Sequence, residues 1–414
     1  MPIIYLLLFV TPQVLVFRYL WERLPDAAPK RARWVRIGLV LVFALFDFPW
    51  IFVARRALFG TVWGGGGIPM LAPWVAWQLL GWIFAGLVAV YILGKGLLWL
   101  VRRRSGEWGV VHEGGNRGST PHRRVPLPTS HSPMSRRRFL SRATYVYAGA
   151  GLALMGHGIW SAKRLPIVTR RTLFFPDLPE SFDGFRVLHV SDVHAGVFME
   201  RDHMADVVAL ANSLRPDLVV QTGDMIDISP RYIPPYVSTF RDLTAPHGVV
   251  TCLGNHDRYT GEARVIKGVR DAGQVFLSGD AHVIERGGTS LSVLGIDDPD
   301  NWVMDDPQTI AVDRVLRAVP PGTFSILLAH RPGAFDTARL RGVPLTLAGH
   351  IHGGQIAAPL IGWSAGRLIT KYVAGHFQDG RSHLYVSRGI GVVGVPIRVF
   401  VPPELALLEL RRWT

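Results

Sequence analysis

Five short blocks of potential metal ligands run along the second half of this 414-residue chain, and each closes an apolar, strand-like run. They read S-D-V-H (191–194), G-D-M-I-D (223–227), G-N-H-D (254–257), A-H-R (329–331) and G-H-I-H-G-G-Q-I (349–356). Short apolar runs bounded by turn residues are the pattern of buried strands. Only a fold that gathers five strand ends in one place can use all five blocks together.

Composition narrows the class. Residues 1–164 carry 21 Lys and Arg against 5 Asp and Glu, while residues 165–414 carry 24 against 26. The basic excess therefore lies wholly in the first part, which is also the apolar part. Basic residues flanking apolar runs set membrane topology, so the net charge of +14 does not imply a nucleic-acid partner, and none is expected. Cys252 is the one cysteine, so no internal disulfide is possible. Its place in an apolar run reads as a buried strand residue rather than a nucleophile.

Four apolar stretches stand in the first part: Pro2 to Trp21, Trp34 to Ala54, Leu71 to about Leu93, and Ala143 to Ala162. Each is near the ~20 residues that cross a hydrocarbon core. The loops 22–36 and 102–142 are rich in arginine, and 59–71 has no charge. The positive-inside rule puts the two basic loops in the cytoplasm and the domain after the fourth stretch outside. Residues 1–104 are thus expected to hold about three spans, 105–142 a basic polar linker, 143–164 a fourth span or signal-anchor, and 165–414 the folded domain. Within the linker, S-R-R-R-F-L-S (135–141) resembles a twin-arginine export signal, with Ser141 in place of the usual lysine and at an internal position. Read instead as a basic flank, it gives the same topology. The location expected is a bacterial inner membrane, multi-pass, with the domain extracytoplasmic.

From about residue 165 short apolar runs alternate with amphipathic segments, the pattern of α/β layering. Strands are expected at 185–190, 217–221, 249–253, 290–294, 323–328, 344–347, 383–386 and 405–410. Helices are expected at 203–214 and 261–272.

The blocks supply Asp192, His194, Asp224, Asn255, His330, His350 and His352. Carboxylate, imidazole and amide without thiolate suit Mn, Fe, Zn or Ni. Two such metals about 3.5–4 Å apart make a nucleophile from water and neutralise phosphoryl charge. Singly each block is ambiguous: G-D is often a turn, and a lone histidine is more often packed than ligating. Order, strand-end placement and ligand chemistry together point to a two-metal hydrolase.

These blocks resemble the calcineurin-like metallophosphoesterase superfamily, whose pattern is D-x-H, G-D-x-x-D, G-N-H-D/E, H and G-H-x-H. The likeness covers about residues 170–414. The G-G-Q-I tail, S-R-G-I-G (387–391) and V-P-P-E-L (401–405) resemble its membrane-anchored bacterial branch. The resemblance implies a four-layer α/β/β/α sandwich, preceded here by the transmembrane helical region. It implies a first metal on Asp192, His194 and His352, a second on Asn255, His330 and His350, and Asp224 bridging them. A metal-bridging hydroxide would attack phosphorus in line. His256 would face the leaving oxygen as general acid or charge stabiliser, and Asp227 would orient it. Protein serine/threonine phosphatases follow this Asp with Arg-Gly, whereas Ile228 and Ser229 follow here, which argues against that branch. Asp257 could assist His256 or form a salt bridge, and Gln355 could touch substrate or pack its loop.

The function expected is a membrane-anchored, two-metal phosphoesterase acting on a phosphomonoester or phosphodiester, with a lipid-linked substrate favoured by the anchor. A nucleotide–lipid pyrophosphatase of the UDP-diacylglucosamine type is the alternative, and it requires a cytoplasmic site. An inactive scaffold is a third reading, opposed by the complete ligand set.

Overall fold

The computed structural model describes residues 153–414, apart from 155, 300–302, 304, 395 and 414, together with Val40. The first three apolar stretches, the linker and the twin-arginine-like segment lie outside the described residues. Of the fourth stretch, the end is described as helix up to Lys163. Gly158, Ser161 and Ala162 are buried there, and the Arg398 amide donates to the Gly158 carbonyl at 2.9 Å. No helix among the described residues is long and apolar enough to cross a membrane.

Two six-stranded mixed sheets form the domain. The first contains β1 (Ile167–Phe175), β2 (Phe185–Val190), β3 (Leu218–Thr222), β4 (Val249–Cys252), β5 (Val275–Phe276) and β14 (Glu404–Arg412), in the order β1-β14-β2-β3-β4-β5. β2 to β5 are parallel, and β14 runs antiparallel to β2. The second contains β6 (Asp280–Arg286), β7 (Thr289–Gly295), β8 (Ser325–Leu328), β9 (Leu345–Ala348), β12 (Gly375–Asp379) and β13 (Ser382–Val386), in the order β12-β13-β9-β8-β7-β6. Its four central strands are parallel and both edge strands antiparallel. A small hairpin, β10 (Ala357–Ala358) with β11 (Trp363–Ser364), stands apart.

The sheets face each other across one apolar layer. Phe185, Val187, Val220 and Val250 of the first meet Val293, Ile326, Leu328 and Leu347 of the second. Outside the first sheet lie α1 (Arg201–Ser213), α2 (Ile233–Phe240) and α3 (Asn255–Asp271). Met204, Val207, Val208 and Ala211 recur at helical spacing, and this stripe seats α1 on Leu188 and Val219. Outside the second sheet lie α4 (Thr309–Leu316) and α5 (Phe335–Leu340), which bury Val312, Val315 and Ala338 against Leu294 and Leu327. The layers therefore run helix, sheet, sheet, helix. Strands covered on both faces read as continuous apolar runs, which is why β3, β4, β8 and β9 are buried throughout. Parallel strands also place all their C-terminal ends on one side.

Candidate metal centre

Every one of the five blocks follows the C-terminal end of a parallel strand. Asp192 and His194 follow β2, Asp224 and Asp227 follow β3, and Asn255 follows β4. His330 follows β8, and His350 and His352 follow β9. Main-chain bonds join these loops. The Asp192 amide donates to the Gly223 carbonyl at 3.1 Å, His194 to Asp224 at 2.9 Å, and Gly349 to His330 at 2.9 Å. Across the sheets, His330 Nδ1 donates to the Thr222 carbonyl at 2.7 Å.

The side chains converge in three groups: Asp192 with His194 and His352, Asp224 with His330 and His350, and His194 with Asp227 and His256. His194 Nε2 and His352 Nε2 are 3.1 Å apart, and His352 Nε2 is 3.4 Å from Asp192 Oδ1. His350 Nδ1 is 3.0 Å from His330 Nε2, which is 3.1 Å from Asn255 Oδ1. Asp224 Oδ2 stands 3.2 Å from His330 Nε2 and 3.5 Å from His194 Nε2, between the groups. Asp192 and Asp224 are 0 % and 1 % exposed.

This donor set fits a bound cation. With Nδ1 of His330 donating to a carbonyl, its Nε2 presents a lone pair. That lone pair faces a carboxylate oxygen and an amide oxygen, which are also acceptors. Protons cannot satisfy so many converging lone pairs, whereas a divalent metal does. The charge balance carries the same demand. Burial alone would push His330 down, yet Asp224, Asp192 and Asp298 outweigh it and lift the imidazole to about 10, so that without a metal a proton takes the Nε2 lone pair that a cation would otherwise occupy. Burial and neighbouring cations hold His350 and His352 well below the ordinary value, as neutral nitrogen ligands.

Backbone shape fits too. Asp192, His194, Asp224, His350 and His352 all have φ between 49° and 71°. Aspartate and histidine enter this left-handed region more readily than most residues, and such strain clusters where surrounding structure fixes a site.

His256 lies beside this cluster. Its amide donates to Asp224 Oδ1 at 2.8 Å, and its Nδ1 donates to the Asp227 main-chain oxygen at 2.7 Å. The Asp227 carboxylate is farther, 3.4 Å from His256 Nδ1 and 3.7 Å from His194 Nδ1. Burial would raise Asp227, but the two nearby histidines outweigh it and bring it down to about 2. Burial would lower His256, but Asp224 and Asp227 raise it to about 9. With Nδ1 committed, proton exchange at this ring falls to Nε2.

Among the described residues Asp257 makes no salt bridge, and its hydrogen bonds go to the main chain. Its carboxylate accepts from the Gly254 amide at 3.0 Å and the Ile226 amide at 3.1 Å, tying the start of α3 to the Asp224 loop. Gln355 packs its loop, exchanging bonds of 3.0 Å with the Val393 main chain. His189 is buried and bonds Thr222 Oγ1 at 2.8 Å. Thr222 donates to Ser191 Oγ at 2.7 Å, and Ser191 to Asp192 Oδ2 at 2.6 Å. His376 and His383 stack on each other away from the cluster.

Two arginines escape sequence reasoning. Arg398, fully buried, contacts His352 Nδ1 at 3.2 Å and donates to the carbonyls of Gly391, Arg388 and Val401. Arg331, beside His330, forks onto Asp298 at 2.8 and 2.9 Å. The A-H-R block displayed Arg331 but nothing in it identified a partner, and Arg398 follows no block at all.

Comparison with known proteins agrees with this geometry. Residues 185–354 match the calcineurin-like phosphoesterase family, a span that includes all seven candidate ligands. A Bacillus subtilis protein, "Uncharacterized metallophosphoesterase YkuE", is 31 % identical over 67 % of this chain and 98 % of its own. "Phosphodiesterase YaeI" of Escherichia coli is 29 % identical over 67 % of this chain and 99 % of its own. A zebrafish "Transmembrane protein with metallophosphoesterase domain" is 27 % identical over 62 % of this chain and 60 % of its own. With the Bacillus and Escherichia relatives matched over nearly their whole length and five ligand blocks at one end of a two-sheet domain, this chain belongs to the calcineurin-like metallophosphoesterases and is a metal-dependent phosphoric ester hydrolase.

Proposed function

We propose that this enzyme hydrolyses a phosphodiester or phosphomonoester at a centre of two divalent metals, and that it does so anchored in a bacterial inner membrane. The observation that carries the two-metal reading is Asp224 Oδ2, within 3.5 Å of both His194 Nε2 and His330 Nε2. Asp192, His194 and His352 would hold one ion, Asn255, His330 and His350 the other, and Asp224 both. Bound there, the pair supplies a nucleophile from water and neutralises phosphoryl charge. A set of nitrogen and oxygen donors without thiolate suits Mn, Fe, Zn or Ni. The chain's own residues do the rest. The His256 amide fixes Asp224, and the Asp227 carbonyl fixes the His256 ring. His256 Nε2 then hands a proton to the departing oxygen or stabilises its charge. Asp227 adds a nearby negative charge that favours the protonated ring.

The membrane reading is supported by the charge asymmetry and the apolar stretches of residues 1–164, and by similarity to a zebrafish protein named as a transmembrane protein. With the domain outside, a lipid-linked or envelope phosphoester is the substrate class.

The test uses the full chain in detergent with Mn and bis(p-nitrophenyl) phosphate, and measures metal content by elemental analysis. Asp224→Ala is expected to lose both metal and turnover. His256→Ala is expected to keep its metal and lose turnover by about 10²–10⁴-fold. Full activity in Asp224→Ala overturns the two-metal centre.

A further inference from the structure

The hairpin β10–β11 grows directly out of the turn that carries His352. Its base is fixed against that turn. The Ser364 hydroxyl donates to the Gly353 carbonyl at 2.7 Å, and the Ala365 amide donates to the Ile356 carbonyl at 2.9 Å. Gly354 lies so close to Gly366 that a Cβ on it would overlap the Gly366 amide. The tip and its return are the opposite. Leu360 is wholly exposed, Ile361 and Leu368 are 78 % and 77 % exposed, and Ile369 and Trp363 are also in water. Clustered large apolar side chains in water mark an interaction surface.

Connectivity and charge identify what covers it. The Ala357 amide bonds the Val399 carbonyl, the Val399 amide bonds the Gln355 carbonyl, and the Arg398 amide bonds the Gly158 carbonyl. These bonds join the hairpin's foot to the helix that ends at Lys163, the end of the fourth apolar stretch. Trp160 on that helix and Phe400 between the two are themselves exposed. Carboxylates are absent from the sequence of all three segments: residues 114–176, 337–378 and 380–403 contain no Asp or Glu. Arg367 stands exposed within the hairpin. An apolar tip with tryptophan and arginine, free of acids and tied to a membrane-proximal helix, matches the headgroup boundary of an anionic bilayer.

We propose that the segment 357–369 seats in the interfacial layer of the anionic bilayer that anchors the chain, and holds the metal-ligand turn over the lipid headgroups. The substrate class is then a lipid-borne phosphoester presented from that surface. This inference rests on the membrane anchor proposed above.

The experiment reconstitutes the full chain in phosphatidylglycerol-containing vesicles, with an environment-sensitive fluorophore on Leu360→Cys, Leu368→Cys or Ile310→Cys. Cys252 is fully buried, with its thiol pushed up by burial, and does not compete for label. Ile310, 78 % exposed on α4, is the reference. Lipid carrying an acyl-chain spin label is expected to quench both hairpin positions at least about twofold more than Ile310, as interfacial burial requires. Quenching equal to that at Ile310 overturns the proposal, as does a blue shift without quenching, which marks a protein partner or second copy. Two hairpin positions guard against one variant that fails to fold, and bis(p-nitrophenyl) phosphate turnover reports folding in each. Recovery of the full chain in the soluble fraction of cells would instead overturn the anchor itself. A membrane-bound chain with unquenched hairpin labels overturns the docking alone.

Discussion

At the scale of single residues, two glycines separate the two reasons a chain uses this residue. Gly254 has φ −111°, ψ −179°, an extended conformation open to any amino acid. What it lacks is room: a Cβ there would collide with Asp224 Oδ1, the Asp224 amide and His330 Cε1. These are parts of the candidate centre and cannot yield without moving it. Gly375 has φ +88° with nothing within 4 Å of its Cβ position, so its demand is conformational. Gly254→Ala is therefore expected to keep a folded domain, lose metal, and lose more than about tenfold in turnover, since a misplacement of about 1 Å suffices for that. Gly375→Ala should retain metal and turnover while losing about 1 kcal/mol of stability. Elemental analysis and thermal unfolding of the two variants check this, and equal metal content in both would contradict it. The G-N-H-D block displayed Gly254 beside Asn255. What the sequence did not display is that this glycine is needed for its neighbours' space.

At the scale of elements, Glu404 opens β14 and closes a buried polar joint between the sheets. Its carboxylate accepts from Arg388 Nε at 3.0 Å, Arg388 Nη2 at 2.9 Å, the Arg388 amide at 3.0 Å and the Tyr385 hydroxyl at 2.8 Å. Burial would raise this carboxyl, but the Arg388 bonds and charge outweigh it and hold it below its ordinary 4.5. A folded value below the unfolded one means stability that is present above the unfolded value. It is lost as pH falls through the folded value. Glu404→Gln is expected to cost about 3 kcal/mol at pH 7, the scale for breaking a buried pair, and the difference from wild type should shrink below pH 4.5. Melting curves of both chains at pH 7 and pH 4 measure it; a gap that widens in acid has the wrong sign. This joint was visible in the sequence only as S-R-G-I-G and V-P-P-E-L, without a partner for either. The legibility of the elements follows the same logic. β2, β3, β4, β8 and β9 are buried on both faces, so their apolar runs give them away to within a residue or two. β1 carries Arg170 and Arg171, and β6 sets one buried residue, Ile284, between exposed Val283 and exposed Glu285 and Arg286. Edge strands show a polar side to water, and neither was expected. α2 begins Ile-Pro-Pro, where proline is tolerated only in a first turn, and it too was missed. α3 starts at Asn255, six residues before the Gly261 where a helix was expected, because a first helical segment over the G-N-H-D block runs into the second across a kink at that glycine, φ 116°.

At the scale of the whole molecule, the ligand blocks point to chemistry and the charge distribution carries the proposal about place. Residues 165–414 are nearly neutral at −2, and residues 1–164 carry +16. That separation has a direction. The arginine-rich loops 22–36 and 102–142 are expected to stay cytoplasmic, and the uncharged 59–71 to cross. On the proposed topology, an even number of crossings would leave Thr414 outside. Fusing alkaline phosphatase to Thr414 should give active reporter, and fusing a green fluorescent protein should give dark cells. The reverse pair of signals would move the catalytic domain to the cytoplasm, where nucleotide–lipid pyrophosphates become the accessible substrate. The same fusions decide how Arg136 and Arg137 act. Replacing both by lysine keeps two positive charges but removes the twin arginines. A charge flank acts through its net charge, which lysine preserves, whereas export by the twin-arginine route requires the guanidinium pair. Unchanged phosphatase activity in the double-lysine chain is therefore expected if these residues only hold the loop inside, and a collapse of the signal would make them an export signal in use.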